Sequence, residues 1–206
     1  MHKFANPALL LVLSAISVVL DAGPAQPASL TGRWRSTDVS PAGISAVFEF
    51  HGDDKLDSYT AVISEEKYRL IATDTILLES NGHEEKQELE WDNQDRARIE
   101  DEAAGKSIEL ARVGKISDQK NPLIGEWSTT REWNGKKYPA RALIFPDGKV
   151  VWITTLRTDS GHYVFVGGNI RMEITGRPVL AGGFVLAGDR LTLPNPKGGA
   201  SSFQRF

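Results

Sequence analysis

The feature that most constrains this chain is an internal repeat. Leu30-Thr-Gly-Arg-Trp34 matches Leu123-Ile-Gly-Glu-Trp127, which sets an offset of 93 residues. The match resumes after a small shift, where Glu66-Lys-Tyr68 through Ile76-Leu-Leu-Glu79 aligns with Gly161-His-Tyr163 through Ile170-Arg-Met-Glu173. Both stretches finish on a strand-like run carrying an arginine, Ser107-Ile-Glu-Leu-Ala-Arg112 and Ser202-Phe-Gln-Arg205. Self-similarity of this kind marks a duplicated structural unit. Gly114–Pro122 is polar, with Gly and Pro at its ends, and reads as a linker. The expected organisation is a first repeat over 29–113, a linker over 114–122 and a second repeat over 123–206.

Helical periodicity is missing from both repeats, while short alternating or apolar runs broken by Gly, Asp, Asn and Pro recur about every ten residues. The pattern predicts an all-β chain with eight strands in each repeat. The first repeat should place them at 31–38, 43–51, 57–65, 66–73, 75–80, 85–92, 95–102 and 106–112. The second should place them at 124–133, 138–146, 149–158, 161–166, 169–175, 180–187, 189–194 and 201–206. Phe145-Pro-Asp-Gly148, Val166-Gly-Gly-Asn169 and Leu186-Ala-Gly-Asp189 supply tight-turn chemistry between apolar runs. Consecutive hairpins imply an antiparallel meander, and closing eight such strands into an up-and-down barrel removes both exposed edges. The expectation is two tandem small barrels, one per repeat.

The N-terminus reads differently. After His2 and Lys3, the 13 residues from Ala8 to Leu20 are only apolar or serine, and a small-residue stretch follows. This is the layout of a cleaved signal peptide over 1–25, with cut sites after Ala25 or, second, Ala28. The apolar run falls short of the roughly 20 residues that a membrane-spanning helix needs, and a retained N-terminal anchor is the alternative. The mature chain is expected to be exported, either periplasmic or secreted, with no transmembrane segment. Zero cysteine excludes thiol catalysis, thiolate metal sites, disulfides and a lipidated N-terminal cysteine. A net charge of -3 gives no reason to expect nucleic acid.

The residues Gly125, Trp127, Phe145 to Gly148, Tyr163, Ile170 and Gly188-Asp189-Arg-Leu191-Thr-Leu193 form a pattern that resembles the lipocalin-like (calycin-type) domains of bacterial exported proteins. The first repeat keeps Gly32, Trp34, Tyr68 and Ile76. It departs at His51-Gly-Asp-Asp54 and at Asp92-Asn-Gln-Asp95, which stands where the other repeat has its Gly-Asp. The resemblance implies that each first-strand tryptophan packs at the closed end of its barrel under an arginine of the last strand. Carried over, it pairs Trp34 with Arg112 and Trp127 with Arg205, as structural closures. An arginine over an indole face contributes about 0.5 to 2 kcal/mol.

No catalytic constellation emerges. His51, His83 and His162 lack the spacing of a metal site, and His51-Gly-Asp-Asp54 and His83-Glu84-Glu85 read as solvated turns. Asp53-Asp-Lys-Leu-Asp57 lacks a calcium loop's spacing. Ala104-Gly-Lys-Ser107 has the last letters of a phosphate loop without the earlier glycine. Between Glu84 and Glu102, charges alternate with Leu89, Trp91, Ala97 and Ile99, as on the outside of a barrel. No metal and no cofactor is expected.

Charge divides unevenly. Ser29 to Val113 holds 10 basic and 19 acidic residues, whereas Gly114 to Phe206 holds 13 basic and 7 acidic. Docking of the repeats on each other is the preferred reading, an anionic partner near Arg141, Arg157 and Arg171 the second, and simple solvation the third. The sequence-level expectation for function is a noncatalytic exported binding protein holding a small apolar or amphipathic ligand in a barrel mouth. The candidate lining is Phe145, Trp152, Tyr163, Phe165, Met172 and Phe184. The alternative is a cell-envelope structural or interaction module with filled barrels that binds a protein partner; an enzyme is the third reading.

Overall fold

A computed structural model describes residues 29–80, 82–101, 105–116, 118 and 120–206. The expected signal peptide and its cut sites lie outside these residues. Fifteen strands and no helix are found among them. In chain order they are β1 Gly32–Ser36, β2 Ile44–Phe50, β3 Lys55–Ala72, β4 Thr75–Ser80, β5 His83–Asn93, β6 Arg96–Asp101, β7 Lys106–Val113 and β8 Gly125–Trp133. There follow β9 Lys136–Ile144, β10 Lys149–Val166, β11 Asn169–Ile174, β12 Leu180–Gly183, β13 Val185–Ala187, β14 Arg190–Pro194 and β15 Ala200–Arg205. All ladders are antiparallel, so the all-β expectation holds.

Two pairs of expected strands turn out to be one strand each. β3 and β10 both run for 18 residues, roughly 55 Å of extended chain at about 3.3 Å per residue. That is too long for one small ring. In β3 the supposed break at Ser64-Glu-Glu-Lys67 contains no Gly, Pro or Asn, so nothing turns the chain. In β10 the expected break falls at Asp159-Ser160, beside Gly161, whose composition does suit a turn. Gly161 serves close approach instead: a Cβ there would lie 2.1 Å from the Glu173 carbonyl oxygen. In the opposite sense, the expected strand 180–187 is interrupted at Phe184, its first part pairing with β11 and its second with β14.

β3 and β10 pair with each other from Lys149↔Lys67 to His162↔Lys55, with a bulge between Thr155 and Arg157. This ribbon is shared by two rings. β3 through β10, eight strands joined by successive hairpins, close when the first half of β10 returns to the second half of β3. The other ends of the ribbon are flanked by β2, β1, β15 and β14 on one side and by β11 and β12 on the other. That second ring is interrupted, because no ladder joins β12 to β14. Gly182 brings them together instead, since a Cβ on it would stand 3.2 Å from Pro194.

The expectation that each repeat closes on itself is therefore corrected. The closed ring takes the end of the first repeat and the start of the second, and the interrupted ring takes the remainder. The 114–122 stretch is a crossing inside the closed ring rather than a link between independent barrels, since β7 pairs with β8 on either side of it. The tryptophan–arginine closures are exchanged in the same way. Arg112 stands 4.1 Å over Trp127 and Arg205 stands 4.2 Å over Trp34. Hydrogen bonds repeat the exchange. Trp34 Nε1 donates to the Leu30 carbonyl and Trp127 Nε1 to that of Leu123, each at 2.7 Å. Arg205 donates to the carbonyls of Ser29 and Thr31, and Arg112 to those of Pro122 and Ile124. The pairing partner is a neighbour along the closed circuit of strands, which a repeat-by-repeat reading cannot see.

Each ring has its own filled core. Tyr68, Ile76, Leu89, Ile99, Leu110, Trp127 and Trp152 pack in the closed ring. Trp34, Phe48, Phe50, Leu56, Tyr163, Ile170, Met172 and Leu191 pack in the other. The cores fit by exchanging volume between equivalent positions: Phe48 faces Ser58 across one ladder, whereas Ala142 faces Trp152 across the matching one. A large residue meets a small one in both, which maintains native packing density. A third cluster, Val47, Ala61, Leu143, Val151 and Ile153, lies on the opposite face of the ribbon, where β2 of one ring meets β9 of the other.

Candidate functional site

The junction of the rings carries a polar network above that third cluster. Arg33 and Glu126 occupy the variable position of the two Gly-x-Trp motifs, and they face each other, Arg33 Nη1 lying 2.9 Å from Glu126 Oε2. Arg33 Nη2 also lies 3.0 Å from Glu49 Oε1. Arg141 pairs with Glu126, and the Tyr59 hydroxyl donates to Glu49 at 2.8 Å. Burial opposes the charge on Arg33, but the hydrogen bonds to Glu126 and Glu49 outweigh it, so its pKa stands above the ordinary value. Burial likewise opposes ionisation of Glu49, and the Arg33 guanidinium overrides it, holding the carboxylate below its usual range. Burial and Glu49 together raise the Tyr59 phenol. These are the contacts by which an acidic repeat and a basic one meet. The opposite signs at the same motif position were a signal available in the sequence.

Beside this network lies a slot of about 440 Å³. It forms because β9 leaves β10 after the Thr154↔Ala140 pair, while β8 and β9 continue pairing to Trp133↔Lys136. The equivalent β1–β2 pairing is shorter, from Gly32↔Phe50 to Arg35↔Val47. Thr129, Tyr138 and Ala140 line the slot from the hairpin, Val47, Glu49 and Tyr59 from the neighbouring ring, and Ile153, Leu156 and Arg157 from β10. The Leu156 bulge turns the strand at this place. Apolar and hydrogen-bonding groups thus share one hollow.

Arg131 stands on the same face of the hairpin as Thr129 and is the register partner of Tyr138. Its guanidinium lies 4.7 Å over the Trp152 ring and donates to Ser64 Oγ at 3.1 Å. Trp152 Nε1 donates to Glu66 at 2.7 Å. Burial lowers the Arg131 pKa, with Glu66 acting in the other direction. Thr129 Oγ1 is buried without a hydrogen-bond partner. Sequence reasoning singled out neither Arg131 nor Thr129, since both look like ordinary hairpin residues until β8 is seen to outlast the β9–β10 ladder.

A shallower groove of about 720 Å³ runs along the outside of the interrupted ring, lined by His51, Lys55, Asp57, Ser160, His162 and Glu173. Asp57 receives a hydrogen bond from Ser160 Oγ at 2.6 Å and lies 3.0 Å from His51 Nε2. Burial raises the Asp57 pKa, and these two partners reverse the shift to below the ordinary value. Nucleophilic activation requires the histidine between the serine and the carboxylate. Here the carboxylate is in the middle, so Ser160 gains no base. Among the described residues no group of three or more His, Asp or Glu is placed to hold a metal ion.

The six residues expected to line a barrel mouth do not converge. Trp152 belongs to the closed ring's core, and Tyr163 and Met172 belong to the other core, with Phe184 packed against it. Phe165 is 53% exposed. Phe145 packs on the junction cluster and lines a hollow of about 450 Å³ there, with Arg33 and Glu126. None of the other five lines any of these three hollows. No family model, curated protein or solved structure matches the chain.

Proposed function

We propose that this chain is an exported, noncatalytic binding protein, freed of residues 1–25, in which two lipocalin-like barrels frame a site for a small amphipathic ligand. The observation that carries the reading is the slot between the β8–β9 hairpin and the ribbon. Its volume of about 440 Å³ falls in the range of roughly 300–1,000 Å³ usual for small-molecule pockets. Its lining combines Val47, Ile153 and Leu156 with Tyr59, Tyr138 and Arg157. The ring interiors hold Trp34, Trp127, Trp152, Phe50 and Met172 fully buried and packed, which supports a ligand at the junction rather than inside a ring.

A second reading, a cell-envelope interaction module, has its own observation. Phe165, Val166, Val179 and Val185 are exposed by 49% or more, and the Phe165 and Phe184 rings meet at a tilt of 38° with centroids 5.3 Å apart. An apolar surface of this kind suits a protein partner. Native mass spectrometry of protein purified from its exported fraction separates the two readings. A discrete extra mass lost on organic extraction supports the ligand reading. A bare chain that co-purifies with a second protein, and binds it through Phe165, supports the other.

A further inference from the structure

Of the three arginines that the sequence groups around an anionic partner, Arg141 and Arg157 line the slot and Arg171 does not. The charges around the slot do not balance. Arg33 lies against Glu49 and Glu126, Arg141 against Glu126, and Arg157 and Arg177 both against Asp159. Four guanidiniums thus share three carboxylates, which leaves one positive charge unmatched in this network. A guanidinium offers five N–H donors in a planar fork. Arg141 gives Nη1 to Glu126, and its Nε and Nη2 make no hydrogen bond among the described residues. Its side chain is 41% exposed, against 17% for Arg33, so a ligand can reach it. The ladders also fix what lies beside it. Arg141 is the register partner of Ile153 on one side and of Ser128 on the other. Pro139 and Thr155, two residues along β9 and β10, share that face, which is the one opposite Trp152. Tyr59, the partner of Val47 and Thr158, meets it from the neighbouring ring. Pro139 is exposed, and Tyr59 and Leu156 are half-buried in the slot wall.

We propose that the slot takes a small amphipathic monoanion, its carboxylate on the free edge of Arg141 and its apolar body along Pro139, Tyr59 and Leu156. The inference rests on the slot being a ligand site and adds the charge and orientation of the ligand. A carboxylate accepts charge-assisted bonds from two guanidinium nitrogens at once. The unused Nε and Nη2 of Arg141 are the same two atoms with which Arg177 holds Asp159. Glu49, the acid that lines the slot, has one oxygen on Arg33 and the other on the Tyr59 hydroxyl, so it offers little to a cation. One negative charge on the ligand matches the one positive charge left over in the network. The head therefore sits toward Glu126 and the body toward the Leu156 bulge.

Titration calorimetry of the purified protein with 4-phenylbutyrate and its neutral isostere 4-phenylbutanamide tests this. The acid should bind at least about tenfold tighter than the amide, a preference that weakens as salt is raised. Arg141→Gln should erase the preference while the amide binds as before, since Glu126 keeps Arg33 as a partner. Arg171→Gln, outside the slot, should leave the acid-to-amide ratio unchanged. If Arg141→Gln lowers the thermal midpoint so far that binding cannot be read, Arg141→Lys decides: it keeps the charge and loses the fork, so a reduced ratio supports the assignment and an unchanged ratio overturns it. Equal binding of acid and amide, or a preference that survives Arg141→Gln, overturns the assignment and leaves the slot reading standing. Failure of both probes to bind overturns both.

Discussion

The Arg205 guanidinium lies 4.2 Å above the Trp34 indole, although 171 positions of chain separate them. The last strand of the second repeat thereby joins the ring begun by the first strand of the first repeat. Arg205 also donates to the Ser29 and Thr31 carbonyls at 2.6 Å, so it ties down the segment entering β1. Its mirror contact, Arg112 over Trp127, does the same where the chain passes from one repeat to the next. Two such contacts make the repeats interdependent.

Separately produced segments 29–113 and 123–206 should each remain unfolded, because the first lacks β10 and the second lacks β3, the two strands of the ribbon that both rings require. Mixed, they should assemble into a one-to-one complex with the strand signature of the intact chain. Circular dichroism and size-exclusion chromatography report this, and an independently folded half would refute the shared ribbon. In the intact chain Arg205→Ala should cost about 2–5 kcal/mol, from a cation–π contact of about 0.5–2 and charge-assisted hydrogen bonds of about 1.5–3 kcal/mol. Denaturant unfolding measures it.

Gly161→Ala should be among the most damaging single substitutions. A methyl group there meets Glu173 backbone at 2.1 Å, and backbone has no rotamer into which to retreat. The result should be loss of the β10–β11 pairing at a cost above about 3 kcal/mol, in the range of severe core disruption. Hydrogen exchange should show protection falling first in β11. Full protection with an unchanged midpoint would mean that the strands sit farther apart than this geometry states.

Trp152 and Ser58 occupy equivalent places in the two rings, and removal of each should have opposite consequences. Trp152→Ala empties a packed interior and should cost about 3–5 kcal/mol. Ser58→Ala removes a buried hydroxyl that has no partner, so it should be neutral or slightly stabilising. Urea midpoints of the two variants settle the comparison, and a mild Trp152→Ala would indicate space in that ring after all.

Glu49 and Asp57 are both ionised more readily in the folded chain than unfolded, held so by Arg33 and by Ser160 and His51. The folded state therefore binds fewer protons than the unfolded one in the acid range. That contribution is complete above the ordinary carboxylate pKa, 4.5 for Glu49 and 3.8 for Asp57, and is lost as pH falls through their lower folded values. The thermal midpoint should stay level from neutrality to about pH 5 and decline below it. Glu49→Gln should be less stable than the native chain at neutral pH and lose less on acidification.

Period-two alternation determined the all-β character and most strand positions, and the resemblance carried by the Gly-x-Trp pattern pointed to Trp34, Arg112, Trp127 and Arg205 as closing residues. Alternation reports which face of a strand is apolar, and this is a local property of neighbouring residues. Which tryptophan meets which arginine was settled only in three dimensions. It depends on β3 and β10 running straight where a turn was expected and pairing with each other across the two repeats, with Gly161 leaving room for the Glu173 backbone of β11. The slot and the exposure of Phe165 are of the same kind. They arise where one ladder ends before its neighbour, and hydrogen-bond register between strands far apart in sequence leaves no periodic trace in either strand alone.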